Sequence, residues 1–274
     1  MTPRMLSAWR RLTLNAIESG LETRHAGELA RRQQDAKPLA QVDPSPAGML
    51  MPTLQIKHLR YRWPRAPQDC LAIELLDINA GQTLFLHGPS GCGKSTLLGL
   101  MAGVLVAAPG AVTVLGQDWA ALNSSARDGQ RADHLGVIFQ QFNLLPYLSV
   151  IDNVLLPCRF SALRRQRSAD ENASAQALLV RMGLPAALWQ RPAAELSVGQ
   201  QQRVAAARAL IGQPQVVIAD EPTSALDAAL RNDFMDLLLG ECKSAGSTLV
   251  FVSHDERLAE RFDLRLSLPA LNKA

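Results

Sequence analysis

Residues 88 to 96 read Gly88-Pro89-Ser90-Gly91-Cys92-Gly93-Lys94-Ser95-Thr96, the spacing G-x-x-x-x-G-K-[ST] of a loop that wraps a phosphate chain. Few motifs restrict a fold as tightly, because the loop works only between a buried strand and a helix. The apolar run Thr83-Leu84-Phe85-Leu86-His87 supplies the strand, and Leu97-Leu98-Gly99-Leu100-Met101-Ala102 starts the helix. Gly88, Gly91 and Gly93 open backbone angles closed to other residues and remove side chains that would block a phosphate. The loop N–H groups can then turn inward at a helix N-terminus whose dipole favours anions. Lys94 adds a point charge for the outer phosphates, and the Ser95 hydroxyl is a ligand type for Mg²⁺.

The 274 residues have room for one large domain or two small ones, and 47% are hydrophobic, enough to bury a core. A formal net charge of +3 gives no argument for a nucleic-acid partner. Cys70, Cys92, Cys158 and Cys242 are far apart, without metal or redox spacing, and read as reduced thiols in a cytosolic protein. The simple reading of Cys92 is a small filler in the loop; the alternative is a redox-sensitive switch. No apolar run approaches the ~20 residues that span a bilayer, and the first residues lack the apolar segment of a secretory signal.

Residues 1–50 differ from the rest. Arg4, Arg10, Arg11, Arg24, Arg31 and Arg32 alternate with Glu18, Glu22, Glu28 and Asp35, and Asp43-Pro44-Ser45-Pro46-Ala47-Gly48 forms a link. A weak apolar stripe (Leu6, Trp9, Leu12, Leu14, Ile17, Leu21) permits a partial helix. Three readings stand: a basic amphipathic helix on a membrane surface, a mobile tail, or translation beginning at Met49 or Met51. The last two together are preferred, so 1–50 is expected to be a flexible extension and 51–274 the working domain.

From Leu54 the pattern is β-rich, with alternation in Leu54–Leu59 and Leu71–Leu75. Between them, Trp63 and then Tyr61 are the aromatics placed to stack on a base. The short apolar strand Gly136–Phe139 delivers Gln140 to a position for a Mg²⁺ or water contact. From about 142 to 200 the text becomes helical and carries a basic patch, Arg159, Arg164, Arg165 and Arg167, expected to be a solvated face of a helical insert. Leu196-Ser197-Val198-Gly199-Gln200 opens an Ala-rich helix ending near Leu210, with Ser197 a good N-cap type. It is a second anion-ready helix start, one that a single chain does not obviously bring to its own phosphate loop. Val216–Ala219 is a buried strand ending in Asp220, suited to Mg²⁺, and Glu221, suited to polarise a water. Ser224-Ala225-Leu226-Asp227 is a tight loop before a helix. Leu249–Ser253 is a last buried strand, with His254 at its end as a sensor of the terminal phosphate. Strands alternating with helices predict an α/β fold with ligands at the strand carboxyl ends.

This series resembles the ATP-binding subunits of ABC transporters over residues 54–274. Gly88–Thr96 matches the phosphate loop, Gln140 the Q-loop, Leu196–Gln200 the signature, Val216–Glu221 the Walker B strand, Ser224–Asp227 the D-loop and His254 the switch histidine. The signature is the specific part, since many NTPases share the loop. The stretches Phe139–Pro146 and Asp152–Pro157 look most like the bacterial lipoprotein-releasing and macrolide-exporter group. Val198 departs from the usual glycine, and residues 1–50 have no counterpart in the family pattern.

The resemblance implies a phosphate-loop NTPase core with a mainly parallel sheet, an N-terminal antiparallel β subdomain and a helical insert. It also implies a head-to-tail homodimer holding two ATP molecules, each between one phosphate loop and the other copy's Ser197-Val198-Gly199, with Gln200 beside them. Glu221 would be the general base, with Lys94, Gln140 and His254 around the reacting phosphate, and Trp63 on adenine. Mg²⁺ would sit on Ser95, Gln140 and Asp220. The insert would grip a separately encoded membrane permease at the cytoplasmic face of the inner membrane, for export or for lipoprotein or lipid extraction. Two further functions use the same residues: the ATPase of a mechanical or regulatory membrane complex that moves no solute, and a soluble ABC protein on ribosomes or DNA. The latter usually needs two cassettes or a coiled-coil insertion, and one cassette is visible.

Overall fold

The computed structural model describes residues 51–224 and 226–274; the readings of residues 1–50 and of Ala225 lie outside the described residues. Two sheets organise the described chain. In the first, β1 (Leu54–Tyr61) pairs antiparallel with β2 (Leu71–Ile78) and with β4 (Val112–Val114), which carries the two-residue β5 (Gln117–Asp118). In β1, Leu54, Ile56 and Leu59 are buried while Lys57 and His58 are exposed, as expected for a strand with one face on a core.

The second sheet is parallel throughout. Its order is β6 (Leu135–Ile138), β7 (Val216–Asp220), β8 (Thr248–Val252), β3 (Thr83–His87) and β9 (Leu264–Ser267). Every residue of β8 and the first four of β7 are buried, which is why these strands read as unbroken apolar runs. Phe85 of β3, Phe251 of β8 and Phe262 pack together with ring centroids 5.3 to 6.2 Å apart.

Helices follow the strands: α1 (Lys94–Met101), α2 (Ser124–His134), α3 (Val150–Phe160), α4 (Ala162–Arg167), α5 (Glu171–Arg181), α6 (Val198–Leu210), α7 (Ala228–Ala245) and the short α8 (Leu268–Leu271). Most begin where a side chain takes an orphan N–H. Asn123, Ser149, Asp170 and Asp227 cap α2, α3, α5 and α7, and Gly246 ends α7 in the left-handed conformation at φ 65°. Helices α3, α5 and α6 share one apolar core with the parallel sheet: Val154, Leu179 and Val204 belong to the same buried cluster as Phe85 and Val217. Gly136 lets α6 lie on β6, since a Cβ there would stand 2.2 Å from the Ala209 carbonyl oxygen.

One member of the basic patch departs from the solvated face expected of it. Arg164 is 1% exposed, and its guanidinium donates to the carbonyls of Leu135, Ala209 (3.3 Å) and Ile211 (3.2 Å). A side chain with five donors satisfies carbonyls at the end of α6 and the start of β6 that would otherwise be orphaned there. Arg159 and Arg165 are exposed, and Arg167 is half-buried. Among the described residues no helix is long and apolar enough to cross a membrane.

Candidate active site

Because β6, β7, β8 and β3 run parallel and adjacent, the segments that follow them emerge along one edge of the sheet. Gln140 follows β6, Asp220 and Glu221 end β7, Ser253 and His254 follow β8, and the phosphate loop follows β3. This edge is where ligands sit in open α/β sheets.

The loop is shaped by what glycine leaves out. A Cβ on Gly88 would lie 2.9 Å from both Cys92 Sγ and Pro269 Cδ. Gly93, at φ 105°, is the N-cap of α1 and offers no side chain to the first N–H groups of the helix, so these stay available to an anion. Lys94 is 9% exposed, and its ammonium donates to the Gly88 carbonyl at 2.6 Å and the Pro89 carbonyl at 3.0 Å, across the mouth of the loop. Pro89, Ser90 and Gly91 are exposed, while Cys92 and Ser95 are half-buried. Thr96 is turned away: it is buried, and its hydroxyl accepts from Trp63 Nε1 at 3.4 Å and lies 3.7 Å from Cys70 Sγ. Trp63 is thereby held next to the loop, with Tyr61 edge-on at 5.5 Å.

Asp220 and Glu221 are adjacent acids in different surroundings. Burial, and then the charge of Glu221, push the Asp220 carboxyl up to about 6, against the pull of Lys94. Glu221 has φ 46°, a left-handed angle that costs a non-glycine residue on the order of 1 kcal/mol and clusters at functional sites. Its N–H donates to the Val252 carbonyl at 2.9 Å, fixing the turn, and its Oε2 lies 3.2 Å from Nδ1 of His254. Gln140 is exposed at the same edge.

The second helix start stands apart. Ser197 caps α6 in a full capping box with Gln200, its Oγ accepting from the Gln200 N–H at 3.4 Å while Gln200 Oε1 accepts from the Ser197 N–H at 3.0 Å. The cap uses an acceptor position, so the hydroxyl proton is left for another partner. Ser197 and Val198 are exposed, and a Cβ on Gly199 would stand 3.7 Å from Leu226 Cδ2. Helix α6 packs on β6 near Ala209, toward its C-terminal end, and β6 lies three strand spacings, about 14 Å, from β3 across the sheet. The structure therefore gathers Lys94, Gln140, Asp220, Glu221 and His254 at one sheet edge, while Ser197–Gln200 form an exposed, capped start on a different helix.

Several supporting residues had no sequence signal. Arg208 on α6 is 8% exposed and donates to the carbonyls of Phe142 (2.6 Å) and Asn143 (2.7 Å), which stand at φ 58° and 50° just after Gln140. Asn153 of α3, fully buried, closes the same segment through Leu145 and Leu148. The C-terminal tail braces the other flank: Asn272 accepts from the Ala72 N–H at 2.7 Å and donates to the Cys70 carbonyl at 3.1 Å, beside the Trp63 arm. An Arg in an Ala-rich helix or an Asn deep in the chain's last residues is invisible until the fold brings its partners in.

A glycine cradle with an invading lysine, two acids on the neighbouring strand and a histidine on the next define a phosphate-loop NTPase. The family model for ABC transporters matches residues 74–224. An uncharacterized ABC transporter ATP-binding protein, YbbA, from Escherichia coli (strain K12) is 43% identical over 196 residues, covering 72% of this chain and 84% of YbbA. The lipoprotein-releasing system ATP-binding protein LolD of Legionella pneumophila (strain Paris) is 40% identical over 193 residues, covering 70% of this chain and 83% of LolD. A dimeric, post-hydrolysis structure of the ATP-binding cassette MJ0796, bound to ADP and Pi, superposes with a TM-score of 0.70 at 31% identity, covering 78% of this chain and 93% of that one. The chain belongs to the ABC transporter family. It is an ATP-binding and ATP-hydrolysing subunit of that family.

Proposed function

We propose that residues 51–274 form one ATP-binding domain, with about 142–200 as its helical subdomain, that works as half of a homodimer on a separate membrane permease at the cytoplasmic face of the inner membrane. The transport is export or the extraction of lipoproteins or lipids, a reading supported by the likeness to LolD. No part is assigned to nucleic acid.

In this reading two copies face head to tail. Each ATP lies between the loop 88–96 of one copy and Ser197-Val198-Gly199 of the other. The observation that carries it is that one chain presents two anion-ready features on different elements: the loop and acids along one sheet edge, and an exposed, capped helix start at Ser197. Lys94 swings from the Gly88 and Pro89 carbonyls to the outer phosphates, trading neutral acceptors for anionic ones. Glu221 takes the proton of the attacking water, and His254 holds both that carboxylate and the terminal phosphate in place. Trp63 stacks on adenine.

Ser95, Gln140 and Asp220 fit Mg²⁺ by donor type: a hydroxyl, an amide oxygen and a carboxylate are hard oxygen ligands. When bound, the ion would neutralise charge on the outer phosphates. Thr96 contributes through its backbone, since its hydroxyl is engaged by Trp63.

The test is a pair of variants. Glu221→Gln retains ATP binding, loses turnover by about 100-fold or more, and accumulates as a dimer with ATP in light scattering. Lys94→Ala loses nucleotide affinity in calorimetry. Full turnover in the first, or unchanged affinity in the second, contradicts the assignment.

A further inference from the structure

Two residues after β8 tie the histidine segment to a different loop each. Glu256 Oε1 lies 3.0 Å from Nδ1 of His87, the residue that precedes the phosphate loop. Asp255 pairs with Arg231 of α7, whose second terminal nitrogen donates to the Leu226 carbonyl at 3.0 Å. Asp255 is also held by Arg257, at 2.8 and 2.9 Å, and its N–H donates to Ser253 Oγ at 3.1 Å. The Arg231 and Asp255 side chains are only 19% and 12% exposed, and Arg231 Nε is buried without a partner. A long cation held this way, with one donor unsatisfied, is a costly arrangement for mere surface solubility.

The contacts make a continuous line. The Leu226 side chain lies beside Gly199, where an added Cβ would stand 3.7 Å from its Cδ2; the Leu226 carbonyl accepts from Arg231, Arg231 pairs with Asp255, and Asp255 follows His254, which touches Glu221. We propose that Arg231 and Asp255 are a positioning pair that makes the Ser197–Gly199 edge and the Glu221–His254 pair of one protomer move as a unit. The proposal rests on the dimer described above. If the edge of one copy faces the other copy's ATP, the pair links occupancy at one site to the catalytic geometry of the next. Neither residue touches nucleotide; both act through Leu226 and His254.

The experiment uses the full chain and four variants: Arg231→Gln, Arg231→Lys, Asp255→Asn and the double Arg231→Gln/Asp255→Asn. Turnover is measured against ATP concentration, with ATP affinity measured separately on dilute monomer. Coupled sites give the unaltered protein a Hill coefficient above about 1.5, and the variants fall toward 1 with turnover reduced about fivefold or more. Monomer affinity is unchanged, and the double variant is no worse than either single one, as expected for partners in one interaction. Arg231→Lys, which keeps the charge and loses the second arm to Leu226, falls in between, and decides the matter if Arg231→Gln does not fold.

Folded variants with an unaltered Hill coefficient overturn the proposal, even if turnover drops, since a purely structural pair would slow the enzyme without uncoupling it. So does a coefficient of 1 in an unaltered protein that dimerises. Failure of the underlying reading is separate: Glu221→Gln then forms no dimer with ATP, whatever the Arg231 variants do.

Discussion

The two acids that end β7 do different work because one residue sits inside the sheet and the next turns out of it. Asp220 is held up to about 6 by burial first, so above that pH the nucleotide-free protein carries an unwelcome charge. The sign follows from linkage. A carboxyl whose folded value is raised binds its proton more tightly in the native state, so stability falls as pH rises from the unfolded value through about 6. Asp220→Asn is predicted to stabilise the nucleotide-free chain at pH 8 by on the order of 2–3 kcal/mol, and to do little at pH 4. Thermal midpoints at both values check this; a destabilised variant at pH 8 contradicts it. Glu221 trades differently: its left-handed backbone aims the carboxylate at His254, and the Gln variant keeps that backbone while losing the base.

Elements were legible to the extent that periodicity carried them. The strands β3, β7 and β8 show as apolar runs, and the helix starts show as capping residues; Ser197, with Gln200 three residues on, is the clearest. What could not be read was anything formed between elements far apart in the chain. Arg164 looked like surface and is buried between α4, α6 and β6. Arg208 looked like one polar residue among alanines and holds the segment after Gln140. Removing it leaves two buried carbonyls unmet, so Arg208→Met should cost about 2–4 kcal/mol in denaturant unfolding; an unchanged midpoint removes the clamp from the account. Asp255 sits in the reverse pH regime to Asp220. Hydrogen bonds from Arg257, with the charge of Arg231, hold it down to about 2. Its contribution is full above the unfolded value and is lost as pH falls through about 2. The stability gap between the unaltered protein and Asp255→Asn should therefore be constant from pH 7 to 5 and close toward pH 2. A gap that opens on acidification contradicts the pairing.

At the scale of the molecule, the proposed dimer opposes two unlike surfaces of one chain, and the site is complete only when they meet. The phosphate loop follows β3 and Ser197 opens α6, a helix that packs on β6 three strands away, and a shared core does not rearrange cheaply to bring two such elements together. The phosphate-binding and catalytic motifs all fall after residue 50 in the sequence, so deletion of residues 1–48 is predicted to leave turnover intact; a collapse of activity would contradict this. The most direct measurement joins the two surfaces covalently. One preparation carries Ser90→Cys and another Val198→Cys, both with Cys70 and Cys92 replaced by alanine and with Glu221→Gln to hold ATP. Mixed and treated with a short bis-maleimide, they should yield a cross-linked dimer with ATP and little without it. No cross-link between copies while ATP is bound, together with turnover by a monomeric unaltered chain, would contradict the account at its centre.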